Sequence, residues 1–201
     1  MLPGSAEVRA AMNGLWLVLF QTSETSRDPM DYFQQDSEAF FRSFFVFFFA
    51  LPIYIVMAHV QWEIAFTREY TNVPSLTYTT ARVLGEAMQW ALFPLLVMLV
   101  SGHLKISNRF APYIIAINWS SLALTLIFAP IYLLYLLGLA EDTTVVLLSV
   151  FLQLGSLWFL WKLTKIALQC DWLIAIELVA LILASGFFVS WLSDSLFGLS
   201  I

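Results

Sequence analysis

The chain has 201 residues, of which 61% are hydrophobic and 11% charged, and its net charge is −5. A soluble domain carries about a quarter charged residues, so this composition excludes an ordinary water-soluble fold. The chain has no basic run, which argues against nucleic acid as a partner.

Taken in chain order, the first apolar stretch lies within "NGLWLVLF" and is too short to span a bilayer. It lacks the small-residue cleavage site of a signal peptide. Met12–Phe20 is expected to form a helix at the membrane interface or on the bundle, with Trp16 as its anchor. The segment Thr22–Glu38 is the most polar of the chain. Its Asp28–Pro29 pair signals a turn, and Asp36 or Ser37 is placed to cap the helix that follows. Residues 1–38 therefore read as a cytoplasmic or interfacial lead, and residues 39–201 as the transmembrane part.

Five apolar stretches follow: Phe40–Val60, Val83–Ser101, Pro112–Leu139, Val145–Ile166 and Trp172–Leu192. Each is near or above the ~20 residues that a helix needs to cross ~30 Å of hydrocarbon. Backbone polar groups in lipid must pair internally, so the fold class is all-α: five transmembrane helices plus an amino-terminal interfacial helix. Pro52, Pro94 and Pro130 fall inside the first three spans, where each removes one backbone donor. Between the first two spans, Gln61–Arg82 reads as an outer loop, with Thr67–Arg82 folded as a short hairpin or a lid.

Charge placement sets the expected orientation. Lys105 and Arg109 lie in one connection and Lys162 and Lys165 near another, two spans apart and so on the same side. Glu141 and Asp142 lie on the other side. With Arg9, Arg27 and Arg42 placed inside, only Arg68 and Arg82 of the basic residues fall outside. This predicts a cytoplasmic amino terminus and a periplasmic carboxyl terminus in a bacterial inner membrane. Trp62, Trp161, Trp172 and Trp191 fall at predicted span ends, where indole rings favour the interface; Trp90, Trp119 and Trp158 lie deeper and are expected to pack between helices.

Polar groups at span depth are the candidate functional residues, because they are costly in lipid. They are Glu86, Gln89, Asn118, Gln153 and Glu177. Arg82 stands one turn before Glu86, the spacing for a pair on one helix face. Asn118 and Glu177 are expected at similar depth, about 9 and 7.5 Å inside the membrane, and within reach of a shared hydrogen bond. Glu86 and Glu177 fall in opposite halves, which argues against a close carboxylate pair. Alternatively, all five residues simply tie helices together. His59 and His103 sit near opposite span ends and cannot share a metal, and the single Cys170 has no ligand partner at metal spacing. No hydrolase, phosphate-loop or zinc-protease motif is present. The expectation is a non-enzyme without cofactor or metal.

The five-span plan resembles Yip-type membrane proteins in outline. More closely, "GLWLVLF", "DSEAFFRSFF", "APYIIAINWSSL" and the closing segment from Lys162 resemble an uncharacterised family of small, mostly alphaproteobacterial integral membrane proteins. The resemblance implies no enzymatic activity; for Yip-type proteins it implies a role in trafficking or complex assembly. The leading expectation is an accessory or scaffolding subunit of an inner-membrane complex, in contact with lipid and with other membrane subunits or further copies of itself. "FRSFFVFFFALPIY" supplies Phe41, Arg42, Phe44, Phe45 and Phe48 as candidate partner or lipid contacts. The alternative is a small transporter or channel with a polar path through Glu86, Gln89, Asn118 and Glu177. A reporter fused after Ile201 is expected to be active only outside the cytoplasm; activity confined to the cytoplasm would invert the topology.

Overall fold

A computed structural model describes residues 2–20 and 28–199. Residues 21–27, with Arg27 and the start of the polar segment, lie outside the described residues. Every long element is helical: α1 (Ser5–Phe20), α2 (Ser37–Thr67), α3 (Ser75–Ser101), α4 (Phe110–Leu136), α5 (Asp142–Leu168) and α6 (Trp172–Phe197). Helices α2 to α6 are long and apolar enough to cross a membrane, and the protein is a multi-pass integral membrane protein.

Helix boundaries follow local chemistry. Asp28 caps a short 3-10 turn, Pro29–Tyr32, by accepting from the Met30 amide at 2.9 Å. Asp36 caps α2 by accepting from the Ala39 amide at 2.6 Å. The third span was expected to run to Leu139 but ends at Leu136. Gly138 takes φ +70°, and the amides of Gly138 and Leu139 close back onto Tyr135 and Leu134, a glycine-terminated helix end. The outer loop expected at Gln61–Arg82, with a hairpin or lid over Thr67–Arg82, is instead mostly helix. α2 continues to Thr67 and α3 starts at Ser75, so only Arg68–Pro74 connects them. The extension holds because Ile64 is buried and the Trp62 indole donates to the Val73 carbonyl at 2.9 Å. His59 Nδ1 lies 3.2 Å from Ser75 Oγ and ties the two helices at the same end.

The spans pack side by side in a closed order: α2 beside α3, α3 beside α6, α6 beside α5, α5 beside α4, and α4 beside α2. α4 also leans inward onto α3, with the Tyr113 and Phe93 rings 6.2 Å apart. Its burial sets it apart, at 56% of its most apolar window against 22–28% in the other spans. Tyr113 to Ser120 are buried without interruption, so the half of α4 nearer its start has no lipid-facing side. Further along, Leu126, Ile127, Leu133 and Leu134 are exposed. α4 thus passes from the centre of the bundle to its rim. The end of the bundle where α2, α4 and α6 begin is called proximal below, and the other distal.

α1 packs on the outside of α4 and α5 and against the 3-10 turn, burying Ala11, Gly14, Leu15 and Val18 and leaving Trp16 and Phe20 exposed. Two cations fix its ends. Arg42 reaches Glu7 at 3.2 Å, Glu38 at 3.1 Å and the Gln34 amide oxygen at 2.7 Å. Lys162 donates to the Leu19 carbonyl at 3.1 Å, a positive charge at the negative end of α1. Arg42 is therefore committed inside the fold, whereas Phe41, Phe45 and Phe48 face outward and Phe44 is half-buried against Phe40. Trp119 is buried as expected of a packing residue. Trp158, expected there too, is 51% exposed, with Lys162 5.5 Å from its ring centre.

A Cβ at Gly14 would lie 2.8 Å from Phe33 Cε2 and 3.0 Å from the Pro29 carbonyl oxygen. Gly14→Ala is expected to loosen α1, at a cost of ~1–3 kcal/mol of overpacking set against ~1 kcal/mol of gained helix propensity. Hydrogen–deuterium exchange across Ala10–Val18 should speed up; unchanged or slower exchange would show that the contact is not limiting.

Candidate functional site

Four of the five polar residues singled out in the spans line two adjoining chambers, and the fifth does not. An outer chamber of about 530 Å³ lies between α3, α5 and α6 in the distal half, and Arg82, Glu86, Gln89 and Gln153 line it. An inner chamber of about 120 Å³ adjoins it, bounded by all five spans: Tyr54 of α2, Glu86 and Gln89 of α3, Asn118 of α4, Leu160 of α5 and Ile182 of α6. Glu86, Gln89 and Ile182 line both chambers.

The wall between α3 and α6 is built on an antiparallel register. Ser193 Oγ donates to the Ala81 carbonyl at 2.8 Å near the distal end. Two turns deeper, Gln89 Nε2 donates to Ser185 Oγ at 2.8 Å and to the Ile182 carbonyl at 3.3 Å. Between these rungs Gly85 lies opposite Val189, with room for only an ordinary contact at 3.7 Å. The small residues on these faces let the helices approach, and the hydroxyl and amide groups then pair, as is usual between helices in lipid.

Arg82 does not pair with Glu86 one turn along, as helix spacing suggested. Its Nη1 lies 2.9 Å from Asp194 Oδ1 on α6. Asp194 Oδ1 is buried and lacks an in-line hydrogen bond, so this contact is ionic rather than a well-aligned donor–acceptor pair. The Arg82 guanidinium also lies 4.8 Å from the centre of the Tyr78 ring. With Arg82 drawn to Asp194, Glu86 faces the cavity. Its side chain is accessible although its residue lies deep in the span, as befits a lining carboxylate.

Hydrogen-bond direction fixes the amides. Ser185 Oγ donates to the Ile182 carbonyl, so both partners of the Gln89 amide nitrogen are acceptors. Gln89 Oε1 is left buried without a hydrogen-bond partner. The same logic applies to Asn118. Its Nδ2 donates to Ser43 Oγ at 2.9 Å, and Ser43 itself donates to the Phe40 carbonyl at 2.7 Å. Pro94 adds another acceptor. It has no N–H, so the Trp90 carbonyl one turn back loses its helical donor beside the inner chamber.

Glu177 departs from expectation. It sits on the exposed side of α6 in the proximal half, outside both chambers, and Asn118 pairs with Ser43 rather than with it. Proximal to the inner chamber, the bundle is closed by buried Tyr113, Leu163 and Thr164, with Tyr113 and Thr164 hydroxyls 3.2 Å apart. Cys170 lies in the connection before α6. Burial pushes its thiol above the ordinary range; Asp171 adds to the shift and Lys165 opposes it. The thiol is therefore held protonated at neutral pH and is not an activated nucleophile. No family model matches the chain, and no curated protein or solved structure matches it.

Arg82→Leu should leave Asp194 as an unpaired charge and lower stability by ~1–3 kcal/mol, less than for a fully buried pair. Arg82→Leu with Asp194→Leu should recover most of that loss. Melting temperatures in one detergent, with Asp194→Leu alone as the third variant, decide the point: a double loss equal to the sum of the two single losses would mean that the pair carries no coupling.

Proposed function

We propose that the protein is a non-catalytic membrane protein that binds a small solute inside the bilayer and passes it across, as a transporter or narrow channel. The observation that carries this reading is the inner chamber. All five spans contribute to it, it holds a carboxylate and the unpaired carbonyl oxygen of Gln89 at membrane depth, and it adjoins a larger distal chamber. Helix ties alone call for mutual satisfaction of polar groups, as in Asn118 with Ser43. They do not call for a cavity that holds an unsatisfied one. The closed proximal half and the larger distal chamber fit an arrangement open from one side.

The basic residues support a cytoplasmic proximal end, because Arg42, Lys105, Arg109, Lys162 and Lys165 all lie toward it, whereas Arg68 and Arg82 lie toward the distal end. On this reading the outer chamber faces the periplasm of a bacterial inner membrane. A second reading, an accessory or scaffolding subunit or a homo-oligomer, draws on the outward Phe41, Phe45 and Phe48 of α2. Lipid contact accounts for that face as well, so the cavity ranks first.

In a Cys170→Ser background, Ser190→Cys at the outer chamber is expected to react with a membrane-impermeant thiol reagent from the distal side of sealed vesicles only. Labelling from the proximal side alone, or no labelling, would contradict a distally open cavity. Stoichiometric recovery of a larger complex from native membranes, with Ser190→Cys unreactive, would favour the accessory role.

A further inference from the structure

We infer that the cavity takes a protonated amine with a compact apolar body; this rests on the solute-binding reading above. The polar lining places acceptors around a carboxylate. Gln89 spends both amide hydrogens on α6 and leaves Oε1 unpaired. Asn118 commits one amide hydrogen to Ser43. Pro94 frees the Trp90 carbonyl. Glu86 adds a carboxylate, and the one basic side chain of the lining, Arg82, is neutralised by Asp194.

An anion would face the Glu86 carboxylate, and the one cation of the lining, Arg82, is held by Asp194. A divalent metal ion is a poor fit as well, since among the described residues no three His, Cys, Asp or Glu side chains converge. An ammonium group offers N–H donors in several directions and a charge opposite to that of Glu86. The rest of the wall suits a carbon body. Leu183, Phe187 and Val189 line the outer chamber, and Tyr54, Trp90 and Phe93 line the inner one. Tyr54 and Trp90 supply aromatic surface of the kind that attracts a desolvated cation. The outer chamber, at about 530 Å³, falls within the usual range for small-molecule sites and is far larger than a bare ion needs.

The probe is benzylammonium, with benzyl alcohol and benzoate as neutral and anionic counterparts. Binding to the protein in nanodiscs is read by calorimetry against empty nanodiscs, and site occupancy by protection of Ser190→Cys from labelling. Benzylammonium is expected to bind and protect, with each counterpart weaker by about ten- to a hundred-fold, the range for losing a charge-assisted hydrogen bond. Glu86→Gln should weaken benzylammonium by a similar factor and leave benzyl alcohol unchanged. Equal binding of all three probes, or preference for benzoate, would overturn the amine assignment and leave the solute-binding reading standing. So would labelling of Ser190→Cys that no probe slows. An unreactive Ser190→Cys would remove both. The comparison of probes on the unaltered lining stays decisive even if Glu86→Gln fails to fold.

Discussion

The bond from Asn118 Nδ2 to Ser43 Oγ sits where hydrocarbon offers the amide no other partner, and the architecture turns on it. It pins the proximal half of α4 to α2 with no water to compete. The Tyr113–Thr164 hydroxyl contact pins the same half of α4 to α5. Between them, Tyr113 to Ser120 lose every lipid-facing side. A helix held at the centre by one half and released toward the rim by the other leaves space where it departs. The inner and outer chambers occupy that space, and Glu86 and Gln89 stand at the point of departure. Cavity and closed end are thus two consequences of one helix placement.

Hydropathy made the five spans legible, because a run near twenty apolar residues has one solution in lipid. The Asp36 cap and the Asp28–Pro29 turn were legible too, since capping depends on neighbours in sequence. Boundaries set by other signals were not. The Gly138 helix end cut the third span short of Leu139. The helical extension of α2 to Thr67 depends on tertiary contacts of Trp62 and Ile64, which no local pattern reports.

Depth could be read from the sequence, but rotation about the helix axis could not. Glu86, Gln89, Asn118 and Gln153 were recognisable as polar groups in apolar spans, and they line the two chambers. Glu177 looked equivalent yet faces outward. In a membrane both the core and the lipid are apolar, so an apolar helix does not announce which side is inside. Trp158 failed for the same reason. The Arg82–Asp194 contact was out of reach in another way, because one-turn spacing pointed to Glu86 while the true partner lies on α6. The donor lost at Pro94 was legible, but its place was not: only the fold brings Tyr54, Trp90 and Pro94 to the inner chamber with Glu86.

The placement of α4 is tested most directly by a double-mutant cycle on Ser43→Ala and Asn118→Leu, followed by reversible unfolding in mixed micelles. A bond that fixes α4 at the centre predicts a coupling of ~0.6–1.7 kcal/mol, the range measured for interhelical hydrogen bonds in membranes. Strictly additive losses would contradict it, and with it the explanation offered for the cavity.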